Sequence, residues 1–133
     1  KKKKFLFELI TPSKTLVSNE FDMVVVPGAE GDFGVLQNHS NLISMLRPGI
    51  LKPYNNNKED KEFFLYSGFA DVTSDKLTVL SDIALEKNEF DLKFEKENLV
   101  RLEQEKNKTK DEKESLYIEE KIKKINKMIE MLG

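Results

Sequence analysis

The stretch VVPGAEGDFGVLQNHSNLISMLRPGIL, residues 25–51, decides how the rest of the chain is read. It sets Gly28, Gly31, Gly34 and Gly49, with Pro27 and Pro48, between short apolar runs. Glycine admits positive φ and close backbone approach, and proline fixes φ. Punctuation this dense specifies tight connections between short strands. The same texture continues on both sides. FLFELI (5–10) is followed by the turn TPSK, and FDMVVV (21–26) runs into PGAEGD. FGVL (33–36), NLISML (41–46) and GILKPY (49–54) follow, and then the Asn-rich hairpin tip NNNKEDK (55–61). FFLYSGFADV (63–72) leads through TSDK into LTVLSDIAL (77–85). Apolar runs at roughly ten-residue spacing, rich in Val, Phe, Ile and Leu, predict an antiparallel sandwich or barrel. Phe5, Phe7 and Leu9, and likewise Leu77 and Val79, alternate as strands with one buried face should. Met23 to Val26 does not alternate, which predicts burial on both faces.

The texture changes near Phe90. From there on proline is absent, glycine returns only at Gly133, and acidic and basic residues interleave in near balance. Ile118, Ile122, Ile125, Ile129 and Leu132 fall alternately four and three residues apart. That is one face of a helix, close to a heptad seam. The segment from Phe90 to about Gln104 is also helix-prone, with Leu92, Leu99 and Leu102 as a thinner stripe. NKTKDEK (107–113) is the predicted turn, and Thr109 and Asp111 are the candidate caps of the second helix. The reading is α+β, with a β-domain over residues 1–89 and an antiparallel helical hairpin over residues 90–133. The seam residues bury too little apolar surface to offset the ordering of the whole segment. The hairpin is therefore expected to need a docking partner, and so to be mobile.

Composition excludes several function classes. The 133 residues suffice for one ordinary domain with an appendage. A formal net charge of −2 within 35% charged residues argues against a nucleic-acid partner held by bulk charge. Cysteine is absent, so neither disulfides nor thiolate metal sites are available. His39 is the single histidine, which removes any site needing two imidazoles. No apolar run approaches the ~20 residues of a membrane-spanning helix. Lys1 to Lys4 followed by FLFELI has the outline of a signal peptide, but Glu8 interrupts it and Thr11-Pro12 ends it. A strand behind a basic tail, in a soluble cytosolic protein without direct membrane insertion, is the expectation.

No constellation carries catalysis. Asp32-Phe33-Gly34 spells the magnesium-binding tripeptide of protein kinases, without a glycine-rich nucleotide loop or a catalytic loop beside it. Gly28, Gly31 and Gly34 step by three, which is a turn pattern and not a dinucleotide fingerprint. His39 has Ser40 and Ser44 nearby, but no nucleophile elbow surrounds either serine. The acidic residues lack metal-ligand spacing. No catalytic residue, metal or cofactor is expected.

The order of these features resembles one family, the epsilon subunit of the F-type ATP synthase. The family pattern is a glycine-rich acidic turn, a histidine loop, and an apolar strand running into a basic-Pro-Gly turn. Here these are Gly28-Ala29-Glu30-Gly31-Asp32-Phe33-Gly34, then His39, then Leu42 to Leu46, then Arg47-Pro48-Gly49. An aromatic strand ending in Ser-Gly follows, here Phe63 to Gly68, then Asp71-Val72 and Leu77-Thr78-Val79-Leu80. The resemblance implies an N-terminal antiparallel two-sheet β-sandwich followed by a C-terminal antiparallel α-helical hairpin. It implies a non-catalytic rotor subunit that couples ion-driven ring rotation to ATP synthesis. Its partners would be the gamma subunit of the central stalk, the membrane-embedded c-subunit ring and, through the tail, the alpha and beta catalytic subunits. Its place would be peripheral, at the cytoplasmic face of the inner or plasma membrane. The interface residues carried over are Gly28, Glu30, Gly31, Asp32, Gly34, His39, Arg47 and Ser67. The family's hairpin folds against the sandwich or extends along the stalk, where it obstructs rotation.

Two departures stand out. The family's histidine loop commonly reads Pro-Gly-His-Ala-Pro, whereas here it is Gln37-Asn38-His39-Ser40-Asn41. Some members bind ATP through an Asp-x-x-Arg-Ala helix start with a second arginine further on. Here Phe90-Asp91 matches in style and Arg101 falls near the second arginine, but Phe94 and Glu95 replace the first arginine and its alanine. A guanidinium recognises phosphate bidentately and a phenyl ring does not. A nucleotide-sensing module whose hairpin closes over ATP is the alternative reading.

Overall fold

A computed structural model describes residues 3–133; Lys1 and Lys2 of the basic tail lie outside them. The chain divides after Asn88 into two compact units. The first contains strands β1 (Phe5–Ile10), β2 (Thr15–Phe21), β3 (Met23–Gly28), β4 (Gly31–Val35), β5 (Leu42–Met45) and β6 (Gly49–Asn55). After them come β7 (Lys58–Glu59), β8 (Phe63–Leu65), β9 (Gly68–Val72), β10 (Lys76–Ser81) and β11 (Ala84–Glu86). One sheet runs β2-β1-β10-β9-β5 and the other β11-β8-β6-β3-β4, with β7 paired to β6. Pairing is antiparallel except between β1 and β10, where Phe7 lies opposite Leu77 in a parallel ladder. Between β1 and β10 the chain passes twice through the second sheet, a connection long enough to permit parallel pairing.

The alternation of β1 is the pattern that builds the core. Phe5, Phe7 and Leu9 are buried, as are Leu77 and Val79 beside them and Val24, Val26 and Leu51 on the facing sheet. Phe7 and Phe21 meet edge to face with centroids 5.8 Å apart, the arrangement that aromatic quadrupoles favour. The expectation of burial on both faces of β3 is corrected. Val24 and Val26 point inward, while Met23 and Val25 are half-buried. Met23 looks apolar on the wrong face because it covers Gly34, where a Cβ would sit 3.6 Å from its sulfur.

Two apolar runs are each divided between the two sheets. FFLYSGFADV leaves the second sheet at Leu65 and enters the first at Gly68, and LTVLSDIAL makes the reverse switch between Ser81 and Ala84. The two switches are tied together. Ser81 Oγ lies 2.6 Å from the Ser67 carbonyl and 2.7 Å from that of Ile83, and Ser67 Oγ donates to Asp82 Oδ1 at 2.8 Å. Gly68 completes this corner at φ +136°, where a Cβ would lie 1.9 Å from the Leu80 carbonyl oxygen.

On the outer face of the first sheet, Glu8 accepts hydrogen bonds from Lys76 at 2.9 Å and Ser18 at 3.2 Å. These bonds, Lys76 first, hold its carboxyl below the ordinary value of 4.5. A carboxyl whose folded value is depressed stabilises the fold above its unfolded pKa, and loses that contribution as pH falls through the folded one. Lys76→Ala is therefore expected to destabilise at neutral pH. The difference between the two chains should shrink below pH 4.5. Urea titrations at several acidic pH values measure it, and a difference constant with pH would refute the assignment.

The second unit is a helix pair, α1 (Leu92–Lys108) and α2 (Glu112–Leu132). Its connection is shorter than the sequence suggests, because α1 continues past Gln104 to Lys108 and α2 begins at Glu112. The caps set these limits. Thr109 N–H donates to the Glu105 carbonyl, and the Asp111 carboxylate accepts from Lys113 N–H at 3.0 Å. A connection this short makes the helices antiparallel neighbours, and Lys106 pairs with Glu119 across them at 3.1 Å. Leu102, Ile118 and Met128 are buried, while Ile122, Ile125, Ile129 and Leu132 are half-buried. Met128 thus joins the buried face, a position the isoleucine seam did not include.

Candidate functional site: an exposed strand framed by two loops

The glycine-rich turn is the tip of the β3–β4 hairpin, where Gly28 lies opposite Gly31. The tip needs both glycines. A Cβ on Gly28 would sit 2.8 Å from the Phe33 ring, and Gly31 adopts φ +135°. The tip is then fastened to the end of β5. Ala29 N–H donates to the Met45 carbonyl at 2.8 Å, and Arg47 N–H to the Pro27 carbonyl at 3.0 Å. The Arg47 side chain braces the same turn, donating to the Gly28 carbonyl at 2.9 Å and to Asp32 Oδ1 at 2.6 Å. Arg47 thus holds the hairpin from behind, while Glu30 and Asp32 remain exposed on it.

His39 lies at the opposite end of β4, in the loop that leads into β5. Its Nδ1 is 2.7 Å from the Ser40 carbonyl, and its backbone N–H donates to the Leu36 carbonyl. Asn38, at φ 66°, donates its N–H to the Ser74 carbonyl at 2.6 Å. Asn tolerates the left-handed region better than other non-glycine residues. The acidic turn and the histidine are therefore separated by the length of β4, on the order of 13 Å for four residue steps. Ser67 belongs to neither loop and sits in the corner with Asp82. Asp91 and Arg101 lie in the other unit. Asp91 caps α1 by accepting from Phe94 N–H at 3.1 Å, and Arg101 bonds Glu105 at 3.2 Å and also Asn98.

Between the two loops lies the surface that pattern reading missed. β5 is the outer strand of its sheet, and its side chains invert the usual rule. Ile43 is 71% exposed and Met45 63%, and Phe69, paired with Met45 on β9, is 37% exposed. Leu42, on the opposite face of β5, is 40% exposed. A groove of about 520 Å³ separates β5 from the β4 hairpin, lined by Glu30, Asp32, Phe33, Ile43 and Met45 among others. An open edge strand carrying contiguous apolar side chains is a liability for a lone protein and a ready docking surface for an assembled one. The one sequence signal was Ser44, a polar residue set between Ile43 and Met45 where a core strand would place an apolar one.

Among the described residues no group of three His, Cys, Asp or Glu side chains is placed to hold a metal. Among them, too, no helix is long and apolar enough to cross a membrane. The described residues thus form a β-sandwich with a braced acidic turn and an exposed apolar edge strand, followed by a helix pair.

The model of the ATP synthase delta/epsilon chain β-sandwich domain matches residues 4–87. The ATP synthase epsilon chain of Rhodospirillum rubrum is 45% identical over 95 residues, 71% of this chain and 67% of that one. That of Maricaulis maris is 38% identical over 111 residues, 84% and 83% of the two chains. The chain therefore belongs to the delta/epsilon family, among the epsilon subunits of the F-type ATP synthase. Among solved structures, a chain of the Euglena gracilis mitochondrial ATP synthase, in its OSCP/F1/c-ring assembly, superposes with a TM-score of 0.64. It is 21% identical, with 87% of this chain and 73% of that one covered. A chain of the Tetrahymena thermophila mitochondrial ATP synthase central stalk and c-ring gives 0.56 at 20% identity, covering 97% and 98%. At these identities the two structures speak for the fold.

Proposed function

We propose that this chain is a non-catalytic rotor subunit that couples rotation of the c-subunit ring to ATP synthesis. The observation that carries the reading is the exposed apolar face formed by Ile43 and Met45 of β5 with Phe69 of β9, with the end of β5 held by the Ala29–Met45 hydrogen bond and the loop before it by the Asn38–Ser74 bond. A surface that transmits torque must be adhesive and must not yield. The first property comes from apolar exposure, the second from a sandwich core behind it. In this reading the gamma subunit covers β5. Glu30 and Asp32 on the braced turn, with His39 at the far loop, meet polar loops of the ring. Support comes from the solved relatives, whose structures include the c-ring and, in one, the central stalk. The chain would work at the cytoplasmic face of the membrane, held there through the complex.

The helical unit is proposed to act as a two-position brake that reaches the alpha and beta subunits when extended. The test is ATP hydrolysis by the parent complex with the chain cut after Phe90. Hydrolysis is expected to rise while ATP synthesis persists, and unchanged hydrolysis would reject the brake. The nucleotide-sensing alternative is less favoured, because Asp91 and Arg101 are each engaged within α1 itself. Calorimetric titration with MgATP is expected to give no saturable heat, and clear saturation would revive that reading.

A further inference from the structure

On another part of the sandwich, a cleft of about 630 Å³ opens beside β3 and β6. Its volume lies within the ordinary range for small-molecule sites. We propose that it binds a small, flat, acidic molecule carrying an N–H donor. The observations behind the proposal come from four separate segments. Met23 and Tyr54 lie opposite each other in the β3–β6 register and present an apolar floor. Leu36, 55% exposed, forms a wall. Gln37 lines the same cleft, and its Oε1 is buried with no hydrogen-bond partner among the described residues. A buried acceptor without a donor is costly, and native proteins rarely leave one unless a ligand or water serves it.

The charge of the cleft is set by two side chains. Asp22 is buried at its edge, but its carboxylate accepts from Asn56 N–H at 2.5 Å and lies 3.5 Å from the Lys4 ammonium. That charge is thus compensated within the protein. Lys3 also lines the cleft, so the field inside it favours an anion. Ligand and site then match in three respects. A flat apolar body fills the space over Met23 and Tyr54, an N–H meets Gln37 Oε1 once the carboxamide turns into the cleft, and an acidic group faces Lys3. The loop is pre-formed for this, because the Asn38 N–H bond to the Ser74 carbonyl fixes the residue after Gln37.

Nuclear magnetic resonance titration of the intact chain tests the proposal, with indole-3-acetate as the probe. The Met23 methyl and the Gln37 side-chain amide are expected to shift and saturate, with a Kd on the order of 1 mM. 1-Methylindole-3-acetate, which lacks the N–H donor, should bind about tenfold more weakly. Neutral 3-methylindole should bind equally well to the wild-type chain and to Lys3→Ala, whereas Lys3→Ala should weaken indole-3-acetate several-fold. In Gln37→Leu the preference for the N–H compound over its N-methyl analogue should vanish. Circular dichroism checks that both variants remain folded. Absence of saturation at about 10 mM probe, equal affinity for the N-methyl compound, or shifts away from Met23 and Gln37 would each overturn the proposal.

Discussion

Gly68→Ala is expected to destabilise the sandwich by more than about 4 kcal/mol, enough to unfold a domain of ordinary stability. Two penalties combine there. The φ of +136° is strained for any residue with a Cβ, and the added methyl would lie 1.9 Å from the Leu80 carbonyl oxygen and 2.9 Å from Ser81 Cα. Both obstacles are backbone, so no side chain can swing aside. The corner where β8 passes into β9 and β10 into β11 would have to open, and with it the pairing of four strands. Ser67→Ala provides the contrast, because it removes only the hydroxyl bond to Asp82, worth about 1 kcal/mol. Urea unfolding monitored by circular dichroism measures both. A Gly68→Ala chain within about 1 kcal/mol of wild type would show that the corner is more pliable than described.

The double substitution Ile43→Asp, Met45→Asp should have the largest effect on assembly and almost none on folding. Both side chains point outward from an edge strand and are exposed in the isolated chain. Stability should therefore stay within about 0.5 kcal/mol of wild type. Affinity for the gamma subunit should fall more than about a hundredfold, since two apolar anchors at the centre of an interface become desolvated charges. Calorimetry of the purified pair reads the affinity, and thermal unfolding reads the stability. Undiminished affinity would move the gamma contact away from β5. A large loss of stability would mean that these residues belong to the core instead.

These two cases mark where the amino-acid sequence is legible. Alternation in Phe5-Phe7-Leu9 identifies a one-sided strand, because the pleat imposes a period of two whatever the sheet order. Loss of proline after Phe90 and the stepping of the isoleucines identify helices for the same local reason. The glycines around Glu30 mark a turn, and that turn is where they place it. The break at Ser67-Gly68 falls where the resemblance ends the aromatic strand, but the bond from Ser81 that ties the corner is not legible locally, because Ser81 lies distant in sequence. The exposure of Ile43 and Met45 is hidden as well. An edge strand and a central strand carry the same residues, and only sheet order tells them apart. The acidic turn and His39 are close in sequence, yet β4 holds them at opposite ends of the adhesive strand. Ser67, read with them as an interface residue, lies apart from both loops and bonds Asp82 in the corner.

ATP synthesis by a parent complex stripped of this chain, driven by an imposed ion gradient, tests the central claim most directly. Adding back the intact purified chain should restore gradient-driven synthesis, whereas the Ile43→Asp, Met45→Asp chain should not. Restoration by both chains alike, or by neither, would contradict the claim that an adhesive edge of this sandwich carries torque between ring and shaft.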